Sequence, residues 1–254
     1  MNEKPKLNLI DLFAGIGGFS LAAHWLGWQA IAFVEKDEFC QKVLRKNFGQ
    51  DIYLHDDITT FSGKPFRGRC GIITAGIPCQ PFSTASRGLR QGTDDNRYLW
   101  SEVRRVAKES KPSWVVIENV IGFIELALEN VCSDLENDGY ETQTFVIPAC
   151  AVEKDHIRER VWVLGYSDRN RKSRLSFDAK MGGLSGCGCR TRYMGKTDGF
   201  SSELDIAGSR DNRRDRLRVI GNSVVPQIAF EIFKAIEQTE IDYERQRASD
   251  LQTN

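Results

Sequence analysis

The sequence has no surplus of charge. Its 35 lysines and arginines stand against 35 aspartates and glutamates, so net charge alone points to no polyanionic partner. No apolar run approaches the length of a membrane span, which excludes a transmembrane helix and leaves no membrane partner to expect. A disulfide framework is also missing. The seven cysteines (Cys40, Cys70, Cys79, Cys132, Cys150, Cys187, Cys189) are an odd number, and no signal peptide precedes them, so a reducing cytoplasm is the expected compartment. Cys187-Gly188-Cys189 lacks the roughly two-to-four-residue gap of structural zinc sites and has no second ligand pair, so it reads as part of a flexible loop and no metal is expected.

The charge that is present is unevenly spread. Between Ser167 and Arg218 thirteen basic residues face seven acidic ones, a local excess of +6 that leaves −6 for the rest of the chain. A basic insert on a mildly acidic body suggests a local footprint for a polyanion. At 254 residues the chain can bury one substantial core with a small appendage.

Short apolar runs alternate with amphipathic stretches through the first two thirds, the pattern of βαβ units and a largely parallel sheet. Strands are expected at Leu7–Phe13, Ala30–Glu35, Gly71–Ala75, Trp114–Glu118, Thr142–Ile147 and Arg160–Gly165. Helical periodicity occupies Gly18–Trp25, Glu38–Asn47, Leu99–Ser110 and Ile121–Asn137. After Tyr166 the pattern dissolves into Gly, Ser and Arg with few apolar anchors, then returns at Val224–Ile236, where Pro226 suits the first turn of a helix. The polar tail from Ile241 is expected to fray.

Every segment with chemical potential falls at an expected strand end, on one edge of the sheet, where open α/β sheets bind ligands. Gly76-Ile77-Pro78-Cys79-Gln80-Pro81-Phe82-Ser83 follows an apolar run, which marks Cys79 as a candidate nucleophile held at a strand's C-terminal edge. The Gly15/Gly17/Gly18 turn lets backbone approach a ligand closely. Ser20 occupies the place of the third glycine of the dinucleotide fingerprint, so a nicotinamide reading loses weight. Glu35, ending the next strand, is placed to accept hydrogen bonds from ribose hydroxyls. Glu118 closes Trp114-Val115-Val116-Ile117, and Arg158 and Arg160 alternate with Ile157 and Glu159, so in extended geometry both project to one face.

Asp11-Leu12-Phe13-Ala14-Gly15-Ile16-Gly17-Gly18-Phe19-Ser20, the Pro78-Cys79 pair, Glu118-Asn119-Val120, Arg158-Glu159-Arg160 and Gly221-Asn222-Ser223-Val224-Val225-Pro226, in this order and spacing, resemble the motif series of the DNA (cytosine-5) methyltransferases, in the compact form common among bacterial and prophage enzymes. The resemblance covers roughly residues 7–166 and 216–236. It implies an α/β fold: a Rossmann-like S-adenosylmethionine-dependent methyltransferase sheet with a small irregular target-recognition insert. Residues 1–166 would form the catalytic and cofactor-binding domain and 167–218 the short basic recognition region. Residues 219–240 would be a helix completing the catalytic domain, and 241–254 a tail.

The resemblance further implies that S-adenosylmethionine lies against Phe13, Ala14, Gly15, Gly17 and Gly18. Glu35 would hold the ribose, Asp57 and Ile58 the adenine edge, with Pro78, Leu99, Asn222 and Ser223 completing the pocket. Cytosine C5 is a poor nucleophile, and attack of a thiolate on C6 makes it enamine-like, splitting one hard step into two easier ones. Cys79 would supply that thiolate, Glu118 would contact the N3 side of the base, and Arg158 and Arg160 would reach its carbonyl and organise Glu118. His156 departs from the family, which has glutamine there in many members; both donate a hydrogen bond.

The implied substrate is double-stranded DNA, from which the target base must be flipped to reach Cys79. The loop from Gln80 to Asn96, with Ser83 and Arg87, together with Arg97, Arg169, Arg171, Lys172 and Arg174, is expected to contact it. A monomeric cytoplasmic enzyme of restriction-modification type, associated with the nucleoid when bound to DNA, fits these readings. Two alternatives remain at the sequence level: a non-catalytic DNA- or cofactor-binding remnant of the family, and an RNA cytosine-5 methyltransferase. The extra motif of the RNA-directed relatives is not found here.

Overall fold

The computed structural model describes residues 7–78, 92–152, 159–167 and 222–252, with residues 92–98 and 252 described as backbone. Five strands run in the order of the sequence pattern: β1 (Asn8–Leu12), β2 (Gln29–Val34), β3 (Leu54–His55), β4 (Ile72–Gly76) and β5 (Trp114–Val120). They are joined by α1 (Gly18–Trp25), α2 (Glu38–Phe48) and α3 (Gly92–Ser110). A π-helical turn at Ile124–Leu128 leads into α4 (Glu129–Asn137), followed by β6 (Tyr140–Pro148), β7 (Glu159–Ser167) and α5 (Pro226–Gln252).

The sheet order is β3-β2-β1-β4-β5-β7-β6. The first five strands pair in parallel, and β7 enters between β5 and β6, antiparallel to both. The expectation of a largely parallel sheet therefore holds for its first five strands. Alternation decides the two faces. Ile10, Leu12, Ile73, Val115, Ile117 and Val163 face α3 and α4 through Val103, Val106, Val131 and Leu135. Leu9, Ile72, Trp114, Val116, Trp162 and Leu164 face α1 and α5 through Phe19, Ala22, Ile228, Ile232 and Phe233. The result is three layers, helix over sheet over helix, the solution that a sheet apolar on both faces requires.

On the α1/α5 face aromatic rings carry much of the packing. Phe19 meets Trp162 edge-on with ring centroids 5.9 Å apart, and Trp28 stacks on Phe233 at 5.2 Å. Such pairs add about 0.5–1.5 kcal/mol each beyond the area they bury. On the opposite face the join is ionic: Arg104 bridges Asp134 and Asp138 at 2.5 and 2.6 Å, and the Trp100 indole donates to Asp134 at 2.8 Å, tying α3 to α4.

Four boundaries differ from the sequence pattern. The helix expected from Leu99 begins at Gly92, so the end of the expected Gln80–Asn96 loop is helical. The two-residue β3 was not expected; it is too short to carry a period, and parallel pairing of Phe33 with Leu54 and Val34 with His55 defines it. The Ile121–Asn137 helix opens with the π turn. Finally, α5 runs past Ile241 to Gln252 with an exposed polar end, where fraying was expected.

Candidate active site

β1 ends in a chain reversal that no ordinary side chain favours. Phe13 sits at φ 54, Gly15 at φ 56 and Gly17 at φ 89, all in the left-handed region. For a bulky residue such as Phe13 this conformation is strained by about 1–3 kcal/mol and clusters at functional sites. At Gly17 the glycine is obligatory twice over, since a Cβ would lie 2.5 Å from the Phe48 ring. The turn is held from below. Glu35 Oε2 accepts the Gly15 N–H at 2.7 Å, and its Oε1 accepts the Asp37 N–H at 2.7 Å. Burial raises the Glu35 carboxyl above its ordinary value, while these N–H groups pull it back. Gln41 Nε2 donates to the Glu35 carbonyl at 2.7 Å, and Asp37 caps α2 by accepting from the Phe39 and Cys40 N–H groups at 3.0 Å each.

Asp57 and Ile58 follow β3 on the same edge. Asp57 Oδ1 accepts the Thr59 N–H and hydroxyl, both at 2.9 Å, and these bonds hold its carboxyl below its ordinary value. Ile58 is buried in the α3-side core, against which Phe13 and Leu99 also pack. Arg105 of α3 fixes this loop by donating to the Ile58 carbonyl at 2.8 Å and the Phe61 carbonyl at 2.9 Å. Sequence reasoning singled out neither Gln41 nor Arg105, since both act on backbone carbonyls, Gln41 six residues back and Arg105 more than forty residues back, and no local pattern marks such a contact.

Glu118 and Arg160 come together as an ion pair, Arg160 Nε to Glu118 Oε1 at 3.0 Å, with side chains only 18% and 9% exposed. The antiparallel register explains it: Val120 pairs with Arg160 and Glu118 with Trp162, so Glu118 and Arg160 share a face two residues apart. Gly76, the register partner of Glu118, lies beside it; a Cβ there would be 4.0 Å from Glu118 Oε2 and 3.6 Å from Val224. The C-terminal segment thus returns to the same edge, with Ser223 buried and Asn222 exposed ahead of α5. Pro78 is exposed at the end of the described β4 segment.

Cys79, Gln80, Ser83, Arg87, Arg158, Arg169, Arg171, Lys172 and Arg174 lie outside the described residues, and Arg97 is described only as backbone of α3. Among the described residues no cluster of three or more His, Cys, Asp or Glu could hold a metal ion, and no helix is long and apolar enough to cross a membrane. Surface hollows of about 380 and 650 Å³ lie elsewhere, beside Tyr140 and Tyr166 and around His24, Trp28 and Arg69.

Sequence reasoning also passed over Asp11, which is fully buried in β1. Its Oδ2 accepts the Ser20 hydroxyl at 2.6 Å and its Oδ1 the Thr74 hydroxyl at 2.9 Å. The signal was there, a carboxylate inside the apolar run Leu9-Ile10-Asp11-Leu12, but its two partners are 9 and 63 residues away.

A family model described as C-5 cytosine-specific DNA methylase matches residues 7–182. The Type II methyltransferase M.DsaV of Dactylococcopsis salina is 33% identical over 183 residues, covering 69% of this chain and 50% of that protein. The chain thus spans about half the length of the curated relatives it matches. Two solved structures share the fold: the S. pombe Dnmt2 methyltransferase (TM-score 0.57, 21% identity, 73% of this chain and 58% of that one) and the Entamoeba histolytica methyltransferase EhMeth (TM-score 0.60, 15% identity, 91% and 98%).

The buried Asp11 carboxyl gives stability a definite pH dependence. Burial pushes the Asp11 carboxyl from 3.8 up to about 7, against the opposing pull of the Ser20 and Thr74 hydroxyls. The folded chain therefore holds a proton that the unfolded chain has released. The associated stability is complete below about pH 4 and is lost as pH rises through about 7. Asp11→Asn should remove this component, so urea midpoints of wild type and variant, compared at pH 5 and pH 8, should shift in the variant's favour at the higher pH, by free energies on the order of a few kcal/mol. A gap independent of pH would refute the assignment.

Proposed function

The chain belongs to the C-5 cytosine-specific DNA methylase family, and from that premise we propose that it transfers a methyl group from S-adenosylmethionine to C5 of a cytosine flipped out of double-stranded DNA. The observation that carries this reading is the Glu118/Arg160 pair beside Gly76, on the edge where the glycine turn rests on Glu35.

The residues present suit the cofactor. A strained Phe13, a glycine turn and a half-buried carboxylate that already accepts two N–H groups form an ordered polar cradle. In this reading Phe13, Ala14, Gly15, Gly17 and Gly18 line it. Glu35 takes the ribose hydroxyls, Asp57 and Ile58 the adenine edge, and Pro78, Leu99, Asn222 and Ser223 close it. When bound, S-adenosylmethionine would supply the electrophilic methyl group, its S–CH3 bond breaking so that the cofactor leaves as a neutral thioether.

Cys79 attacks C6 as a thiolate, and the new S–C6 bond moves the 5,6 electron pair toward C5, which becomes nucleophilic. After C5 has gained the methyl group, a base removes its hydrogen, the electron pair re-forms the double bond and the thiolate departs. Glu118 meets the N3 side of the base. Arg160 orients Glu118 for that contact through their ion pair at 3.0 Å. Arg158 joins Arg160 in holding the base. Gln80, Ser83, Arg87 and Arg97 approach the extruded nucleotide, while Arg169, Arg171, Lys172 and Arg174 contact phosphates.

Cys79→Ala should abolish methylation, read by bisulfite sequencing of plasmid from expressing cells, while S-adenosylmethionine affinity stays within about a few fold. DNA carrying 5-fluorocytosine, which cannot release its C5 substituent as a proton, should trap a covalent complex with wild type alone; substantial residual activity in the variant rules out the covalent route.

The two carboxylates should separate cleanly. Glu35→Ala should weaken S-adenosylmethionine binding by about 1.5–3 kcal/mol, the scale of a lost charged hydrogen bond. Glu118→Gln should leave that binding nearly intact and lower turnover. Calorimetry giving the opposite pattern would exchange their roles.

Replacing Arg169, Arg171, Lys172 and Arg174 with glutamine should flatten the dependence of log DNA affinity on log salt by up to about 0.9 per lost phosphate contact, through counterion release. Filter binding between low and physiological salt measures the slope, and an unchanged slope would remove this arm from the DNA interface.

A further inference from the structure

Asp11 is a carboxyl group set inside the apolar run of a middle strand, at 0% exposure. It lies in β1, between β2 and β4, fully buried under α1 and α5. A carboxylate there costs more to desolvate than an apolar residue of similar size. Departures of this kind from local consistency gather at functional positions.

Its two hydroxyl hydrogen bonds go to two different working parts, and the Ser20 backbone N–H adds to the first. Ser20, at 2.6 Å, belongs to the first turn of α1, the helix that the glycine turn opens. That helix has no side-chain cap hydrogen bond, Gly17 standing at its N-cap. Thr74, at 2.9 Å, belongs to β4 and is the register partner of Asp11. On β4 the next residue on the same face is Gly76, which pairs with Glu118. The Ser20/Asp11/Thr74 cluster therefore lies one pleat beneath the Glu118 layer. Apolar contacts between a helix and a sheet tolerate small slides; two directional bonds to one carboxylate do not. Glu35 holds the same turn from its other side through Gly15.

We propose that Asp11 is a positioning residue that fixes the glycine turn, through Ser20, and the end of β4, through Thr74, in one mutual geometry, so that the cofactor and the base-holding Glu118 are set against each other. The inference rests on the methyl-transfer reading of this edge. Misplacing reacting groups by about 1 Å from a distance can cost about 100-fold in rate, so the two bonds should have separable kinetic consequences.

Ser20→Ala and Thr74→Val, which each delete one bond while keeping size close, are compared with wild type by calorimetry with S-adenosylmethionine and by single-turnover methylation of duplex DNA, at a temperature where circular dichroism shows all chains folded. Ser20→Ala should raise the cofactor Kd about tenfold, the scale of one charged hydrogen bond. Thr74→Val should leave Kd within about twofold and lower the single-turnover rate about 10- to 100-fold. The double variant should cost less than the product of the singles, because both bonds share one carboxylate. Asp11→Asn, which can still accept from one hydroxyl and donate to the other, should retain more activity than Asp11→Ala. Wild-type values of both Kd and rate in the two single variants, with only melting temperature lowered, would overturn the proposal and leave the methyl-transfer reading standing. A wild type that neither binds S-adenosylmethionine nor methylates DNA would overturn both.

Discussion

The antiparallel entry of β7 between β5 and β6 is the constraint on which the candidate site depends. In a parallel strand the charged residue that opens the strand would lie at the far end from the residue that closes β5, about 20 Å away for seven residues at about 3.3 Å each. Because β7 runs the other way, its first residues arrive where β5 ends, and Arg160 reaches Glu118 at 3.0 Å. The other strand ends are brought to the same edge by parallel pairing alone, since crossover helices return each strand to the same starting side. One reversal in an otherwise parallel arrangement thus closes the circle of functional groups.

Burial sets the character of those groups. Asp11 and Glu35 are carboxylates drawn into the body of the fold and steadied by hydroxyl and N–H donors, and burial shifts both upward. Asp57, on the rim, is shifted the opposite way by its Thr59 donors. The same chemical group is thus held differently at three positions, according to how much water it keeps and how many donors it gains. The strained Phe13 belongs to the same economy: Glu35 beneath the turn and the core packing of Phe13 against the α3 side hold a conformation that the backbone alone disfavours.

The parts that were legible in the sequence are those governed by local periodicity. Gly18–Trp25 was readable as a helix to the residue, and each long strand within a few residues of its ends, because alternation and 3.6-residue spacing are written into consecutive side chains. The two-residue β3 was not readable, since only its neighbour β2 defines it. The π turn at Ile124–Leu128 was missed for a similar reason: its residues carry ordinary helical propensity and nothing local marks the wider hydrogen-bond step. The polar run after Ile241 lacks an apolar stripe, yet it continues a helix already nucleated and anchored by Ile228, Ile232, Phe233 and Ile236, and extension costs far less than nucleation.

The sequence by itself determined the alternation of strands and helices, the glycine turn, and the places of Glu35 and Glu118 at or just past strand ends, because these follow from neighbours within a few residues. Only the tertiary structure decided which groups meet. Gly15 finds Glu35 at a separation of 20 residues, Asp11 finds Thr74 at 63, and the Trp114 indole finds Glu240 at 126. Such contacts depend on strand order, register and direction, and these are set by how all the apolar faces pack together, which no local stretch of sequence specifies.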